Sequence, residues 1–198
     1  MANKLSKKAS STKSGLKEFF KEFVNEGDRA AVILGAAKLD LQLYQLLLKV
    51  LLPNASSRDD LLDGEGPLST FSAKINMSYR LGLIDSHLAH ALHLIRKIRN
   101  TFAHEVEGCK LESGSHRERV KELITPLENY EIFTRFSLAS DFHGSSGPGV
   151  DFRVALAMLT SRLETAVTTQ KTLNRSTATA LIASHWRRSK SAESSKNT

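Results

Sequence analysis

The feature that most constrains this chain is the run from Arg29 to Leu52, apolar almost all the way round and stopped by Pro53. A helix without a wide polar face belongs at the centre of a bundle, and proline, lacking an amide donor, ends it. The same run carries Lys38, Asp40, Gln42, Gln45 and Lys49. That density of polar groups argues against a membrane span. Asp40 sits mid-helix, where a carboxylate needs a cationic partner. Arg99, or else Arg96, is expected to supply it.

Helical spacing recurs along the rest of the chain. Leu16, Phe19, Phe20 and Phe23 mark one face of a short first helix ending near Gly27. Pro67 fits the first turn of a helix that continues through Leu68, Phe71, Ile75 and Tyr79 to Gly82. Asp85 or Ser86 can cap a helix reaching His104, with Leu88, Ala91, Leu92, Ile95, Ile98 and Phe102 on its core face. Arg117 to about Phe136 reads as helical with an interruption at Pro126, and Phe152 to Leu173 gives a further amphipathic helix. Polar or glycine-rich loops join these segments. Neither strand alternation nor an internal repeat is present. The expectation is an all-α fold, a single multi-helix bundle domain over residues 15–173.

Charge divides the chain in the same way. The formal net charge is +7, but residues 1–14 hold four lysines and no acid, and residues 174–198 hold five Lys/Arg and one Glu. Those ends contribute +8, which leaves residues 15–173 with 19 basic against 20 acidic groups, or −1. Two Ser/Thr/Lys/Arg-rich tails, expected to be disordered, therefore flank a neutral core. They could attract nucleic acid without sequence preference or simply keep the protein in solution. The single cysteine, Cys109, excludes an intrachain disulfide and fits a reducing, cytoplasmic compartment. No neighbouring group suggests that its thiol is activated. Lysines at the N-terminus are followed by no apolar run, so a secretory signal is not expected.

The chemistry-bearing residues gather around Arg96-Lys97-Ile98-Arg99-Asn100-Thr101-Phe102-Ala103-His104. Arg96, Asn100 and His104 fall at i, i+4 and i+8 on one flank, and Arg99 projects between that stripe and the core. A buried guanidinium there would need a partner. One reading is structural, with paired arginines and a histidine favoured by the helix C-terminus. The other is an RNase-like site in which His104 moves a proton and Arg99 stabilises charge on a phosphate. His87, His90 and His93 lie opposite the core stripe and match neither zinc nor di-iron spacing, so they are expected to form a hydrated face without metal. Gly64-Glu65-Gly66-Pro67-Leu68 lacks the lysine and preceding strand of a phosphate loop. Gly66, Leu68 and Ser69 remain an anion-binding candidate at a helix start. No helix-turn-helix, zinc finger or basic-aromatic interleaving supports specific DNA reading by the chain itself.

Two resemblances pass through these residues. Asp28-Arg29-Ala30-Ala31 through Leu39-Asp40, then Gly64-Glu65-Gly66-Pro67-Leu68-Ser69-Thr70-Phe71-Ser72-Ala73-Lys74-Ile75, Leu81-Gly82 and Ile95-Arg96-Lys97-Ile98-Arg99-Asn100-Thr101-Phe102-Ala103-His104, within residues 25 to 170, resemble the mannitol operon repressor family. That resemblance implies a helical cytoplasmic regulator of sugar-alcohol uptake genes. It would act through a protein partner rather than by its own DNA-binding motif, as a homodimer, with no cofactor. Asp28, Arg29, Asp40, Arg96, Arg99, Asn100 and His104 would form its polar cluster. Arg99-Asn100-x-x-x-His104 is also similar to the pattern of HEPN domains, many of them metal-independent RNases. This second resemblance implies Arg99 for phosphate charge, Asn100 for positioning and His104 for proton transfer, with two motifs meeting across a dimer. A third possibility is an inert interaction module using the same groove.

Overall fold

A computed structural model of the chain describes residues 26–54, 57–105, 108–127 and 146–173. These form five helices: α1 (Asp28–Val50), α2 (Phe71–Arg80), α3 (Ser86–His104), α4 (Gly114–Ile124) and α5 (Pro148–Thr169). Among the described residues there is no strand, and the helices pack on one another as an all-α bundle. The expected first helix at Leu16–Phe23, both basic tails and the stretch from 128 to 136 lie outside the described residues.

α1 is the axis of the bundle and packs against α2, α3 and α5. Ala31, Val32, Leu39 and Leu43 are fully enclosed. Gly35 lets α5 come close, since a Cβ there would stand 2.1 Å from Leu156 Cδ2. α1 is also long and apolar enough to cross a membrane, but half of that stretch is buried within the bundle. The expectation of a wholly central helix needs correction. Leu34, Leu41, Leu48 and Leu52 are 50, 48, 41 and 49% exposed, so one side of α1 faces outward.

Both ends of α1 also finish other helices. The Arg29 guanidinium donates to the carbonyls of Phe102 and Glu105, at the C-terminus of α3. Lys49 donates to the carbonyls of Val167 and Gln170, at the C-terminus of α5. The last carbonyls of a helix have no partner within it and carry its negative dipole end, so a cation is the fitting cap. Between these ends, Gln42 Nε2 donates to Thr160 O and to Glu164 Oε2, both at 3.0 Å. The contacts run from residues 28 to 49 alongside 153 to 167, so α5 lies parallel to α1 while α3 runs against it.

The core face expected for α3 is buried throughout, and Ala89 and Leu94 join it. α2 begins at Phe71, later than expected. Thr70 Oγ1 accepts the Ala73 N–H at 3.1 Å and caps it there, while Pro67 stays in the preceding turn. α5 begins earlier than expected, with Pro148 in its first turn, and ends at Thr169 rather than Leu173. The Leu173 N–H instead bonds to Lys49 O at 2.8 Å.

Asp85 caps α3 as expected, accepting the Leu88 N–H at 2.8 Å, and it pairs with Arg162 of α5. That amide bond first, and Arg162 second, hold the Asp85 carboxyl below its ordinary range despite opposition from burial. A depressed folded-state pKa gives stability that is present above the unfolded value and lost as pH falls through the folded one. Asp85→Ala should therefore cost about 1 kcal/mol near neutral pH. In urea denaturation the difference from the wild type should shrink as the pH is lowered below about 4.

Candidate functional site

The polar residues flagged by the sequence are not one cluster, and two groups of them stand at different places. Asp28 and Arg29 sit at the start of α1. Asp28 Oδ1 accepts from Arg153 Nη1 at 3.1 Å and Oδ2 accepts from the Leu111 N–H at 3.0 Å. Arg153, itself buried, also donates to Gly149 O at 2.8 Å and to Glu26 O at 2.6 Å. With Arg29 on the end of α3, these side chains tie chain segments together. Their contacts are those of a structural clasp.

The second group surrounds a cleft of about 440 Å³ between α1, the loop before α2, α2 itself and α3. Asp40, Ser69, Lys74 and Arg99 line it, over an apolar floor that includes Ile33, Ala37 and Phe71. The partner of Asp40 is Lys74, not Arg99 or Arg96. Lys74 Nζ donates to Asp40 Oδ1 at 2.8 Å, Oδ2 at 2.9 Å and Ser69 O at 2.9 Å. Because an ammonium has three N–H groups, three such bonds satisfy it. The lysine side chain is 6% exposed and the aspartate 33%, so the carboxylate alone keeps an open side towards the cleft. A signal for Lys74 existed in the sequence. It falls three residues after Phe71 and one before Ile75, on the apolar face of α2, where an unpaired ammonium could not remain.

Arg99 is exposed, so the expected need for a buried partner does not arise. Its Nη1 donates to Asn100 Oδ1 at 3.1 Å. Arg96 is half-buried with its Nε enclosed and unbonded among the described residues. His104 is exposed at the end of α3 and lies outside the cleft lining. The structure thus brings Asp40 and Arg99 to one cleft and leaves His104 away from it. Two carboxylates, Asp40 and Asp63, share the wall with Tyr44. Burial first, then the Asp63 charge, raises the Tyr44 phenol above its ordinary range.

The anion-binding candidate is not supported by its backbone. The Gly66, Leu68 and Ser69 amides donate to Asp63 O, Leu61 O and Gly66 O at 3.0, 2.9 and 2.9 Å, which leaves none for an anion. The glycines have other reasons to be there. Gly64 adopts φ +61°, and a Cβ on Gly66 would stand 2.5 Å from Asp60 O.

The α3 histidines reach separate neighbours. His90 Nε2 meets Glu122 Oε1 at 2.9 Å, and His93 Nε2 meets Asn76 Oδ1 at 3.0 Å. Burial, followed by the charges of Arg96 and Lys97, holds His93 below the ordinary imidazole range. Cys109, expected to be a thiol without chemical neighbours, has two. Its Sγ donates to Glu105 Oε2 at 3.1 Å and lies 3.4 Å from His116 Nε2. Burial first, then the Glu105 carboxylate, pushes the thiol up to about 11. It is therefore a protonated thiol at neutral pH, not an activated nucleophile.

Removing Asp40 leaves the enclosed Lys74 ammonium without its counter-charge. Asp40→Ala should cost about 3 kcal/mol. Combining it with Lys74→Met should recover much of that loss, a coupling that a double-mutant cycle in urea would measure. Comparison of the chain with protein-family models, with characterised proteins and with solved structures gave no match.

Proposed function

We propose that this chain is a helical regulatory protein, a co-repressor of the mannitol-operon kind for a sugar-alcohol utilisation operon, working as a homodimer through protein contacts. The observation that supports contact with protein is the leucine stripe of α1. Leu34, Leu41 and Leu48 recur every seven residues, with Leu52 beyond them, and all are two-fifths to one-half exposed. At 1.5 Å per residue the helical part of the stripe, Leu34 to Leu48, is about 21 Å long. Continuous apolar patches of this kind mark interaction sites. Seven-residue spacing keeps the leucines on one seam that a second helix can follow. The occupant we assign is α1 of a second copy. The seam bears Leu, Ala37 and Gln45 and no acid, so it is complementary to itself about a two-fold axis.

The cleft opens on this stripe, because Ala37 and Leu41 belong to both. It also gathers residues from both family-like segments, Gly64 to Lys74 and Arg99, as parts of one recognition surface would. A protein side chain suits such a cleft better than a phosphate, which Asp40 and Asp63 would repel. Sugar-alcohol control, cytoplasmic location and the regulatory role rest on the family resemblance of the sequence.

Size-exclusion chromatography with light scattering should give a dimer at micromolar concentration. Leu41→Glu, at a position the monomer leaves half exposed, should give a folded monomer with dimerisation weakened at least tenfold. A wild-type protein that stays monomeric removes the seam from the proposal. In cells, a sugar-alcohol operon reporter should be derepressed by Leu41→Glu at unchanged protein level. Unaltered repression by a proven monomer would discard the dimeric regulator.

A second reading, a metal-independent endoribonuclease of the HEPN kind, keeps the support of Arg99 and His104 both standing at the surface of α3, five residues apart. RNA incubated with the protein in a chelator should then be cut, and His104→Ala should abolish cutting. Intact RNA under those conditions leaves the contact module as the better account.

A further inference from the structure

We propose that Glu105, Cys109 and His116 form a zinc site with its fourth position open to solvent. The three residues come from different places: Glu105 directly follows α3, Cys109 lies in the connecting loop, and His116 is in the first turns of α4. Their ligand atoms nevertheless all lie within 4.8 Å of one another. Zinc bonds of about 2.3 Å to sulfur and about 2.0–2.2 Å to nitrogen or oxygen, at tetrahedral angles, require ligand atoms about 3.3–3.6 Å apart. The observed separations are 3.1 Å from Sγ to the carboxylate and 3.4 Å from Sγ to the imidazole. The carboxylate and the imidazole lie within 4.8 Å of each other, so the exposed Glu105 side chain would close on His116 by up to about 1.5 Å to seat the ion.

His116 supplies an independent sign. It is 6% exposed, held with its ring centroid 4.9 Å from that of Phe102, and its Nδ1 is enclosed with no hydrogen-bond partner among the described residues. Its Nε2 lies 3.4 Å from the Cys109 sulfur, with the Glu105 carboxylate within 4.8 Å. A buried imidazole that faces a thiol and a carboxylate is placed as a ligand would be. Nδ1 then keeps the ring proton while Nε2 binds the metal.

The donor set selects the metal. Thiolate and imidazole favour zinc over magnesium or calcium, which prefer oxygen throughout. As the zinc–sulfur bond forms, the thiol proton passes to solvent. Two anionic ligands then balance the dication, so the nearby Arg29 and Arg119 guanidiniums face a neutral centre. Cys109 also lines an open hollow of about 890 Å³ at the start of α1. Three protein ligands and such an opening leave a place for water or an exogenous ligand, the arrangement of an open rather than a closed zinc site.

Cobalt(II) is the probe, added to the full-length protein after chelator treatment and followed by absorption spectroscopy. One equivalent should bind with a thiolate-to-cobalt charge-transfer band, and zinc should displace it. Zinc should also raise the melting temperature. Cys109→Ser and His116→Gln, each checked for folding by circular dichroism, should lose the band or weaken zinc binding at least tenfold. Cobalt bound without a sulfur band, or zinc affinity unchanged in folded Cys109→Ser, would place the metal elsewhere, such as on the α3 histidines, and overturn the site. Absence of binding would overturn it equally.

Discussion

Three of the other four described helices in this bundle pack directly on α1. Its inner face closes the core against α2, α3 and α5, and cations near its two ends, Arg29 and Lys49, receive the terminal carbonyls of α3 and α5. A helix C-terminus left without donors is unstable when packed. Seating α1 therefore fixes where two other helices stop as well as where they lie. Asp28 adds a third tie, holding the start of α5 through Arg153 and the loop before α4 through Leu111.

The Asp40–Lys74 pair has a different character. A nearly enclosed ammonium with three acceptors joins α1 to α2 and forms the wall of the cleft. Buried ion pairs contribute little net stability against a well-packed apolar alternative, yet they are costly to break. This one holds Ser69, at the end of the loop before α2, close to α1. The cleft's shape thus depends on a pair whose lysine has no donor left for a ligand. A molecule entering the cleft would meet the carboxylate's open side and Arg99, with the leucine stripe beside them.

Much of the helical architecture was legible because its signal is periodic. The α3 core face could be read off residue by residue, since burial of one side of a helix leaves a mark every three or four positions. The extent of α1 was set by its apolar run and Pro53. The start of α2 was not legible in the same way. Pro67 and Thr70 are both acceptable helix openers, and the loop hydrogen bond from Leu68 to Leu61 decides between them. Leu34, Leu41 and Leu48 lie within a run whose apolar character almost all round points to the bundle centre, yet they are exposed, because an apolar residue carries no mark of whether a neighbour covers it.

The sequence by itself determined that the chain is helical, where most helices lie, that residues 15–173 carry almost no net charge, and that Asp40 needed a cation. Tertiary structure alone decided which cation. Lys74 lies 34 residues away and Arg99 farther still, and no local pattern ranks partners at that separation. It also decided that the Gly66, Leu68 and Ser69 amides are already bonded, and that Glu105, Cys109 and His116 converge. Periodicity reports which side of one element is buried. Pairings between elements depend on how those elements dock, and only the assembled packing fixes that.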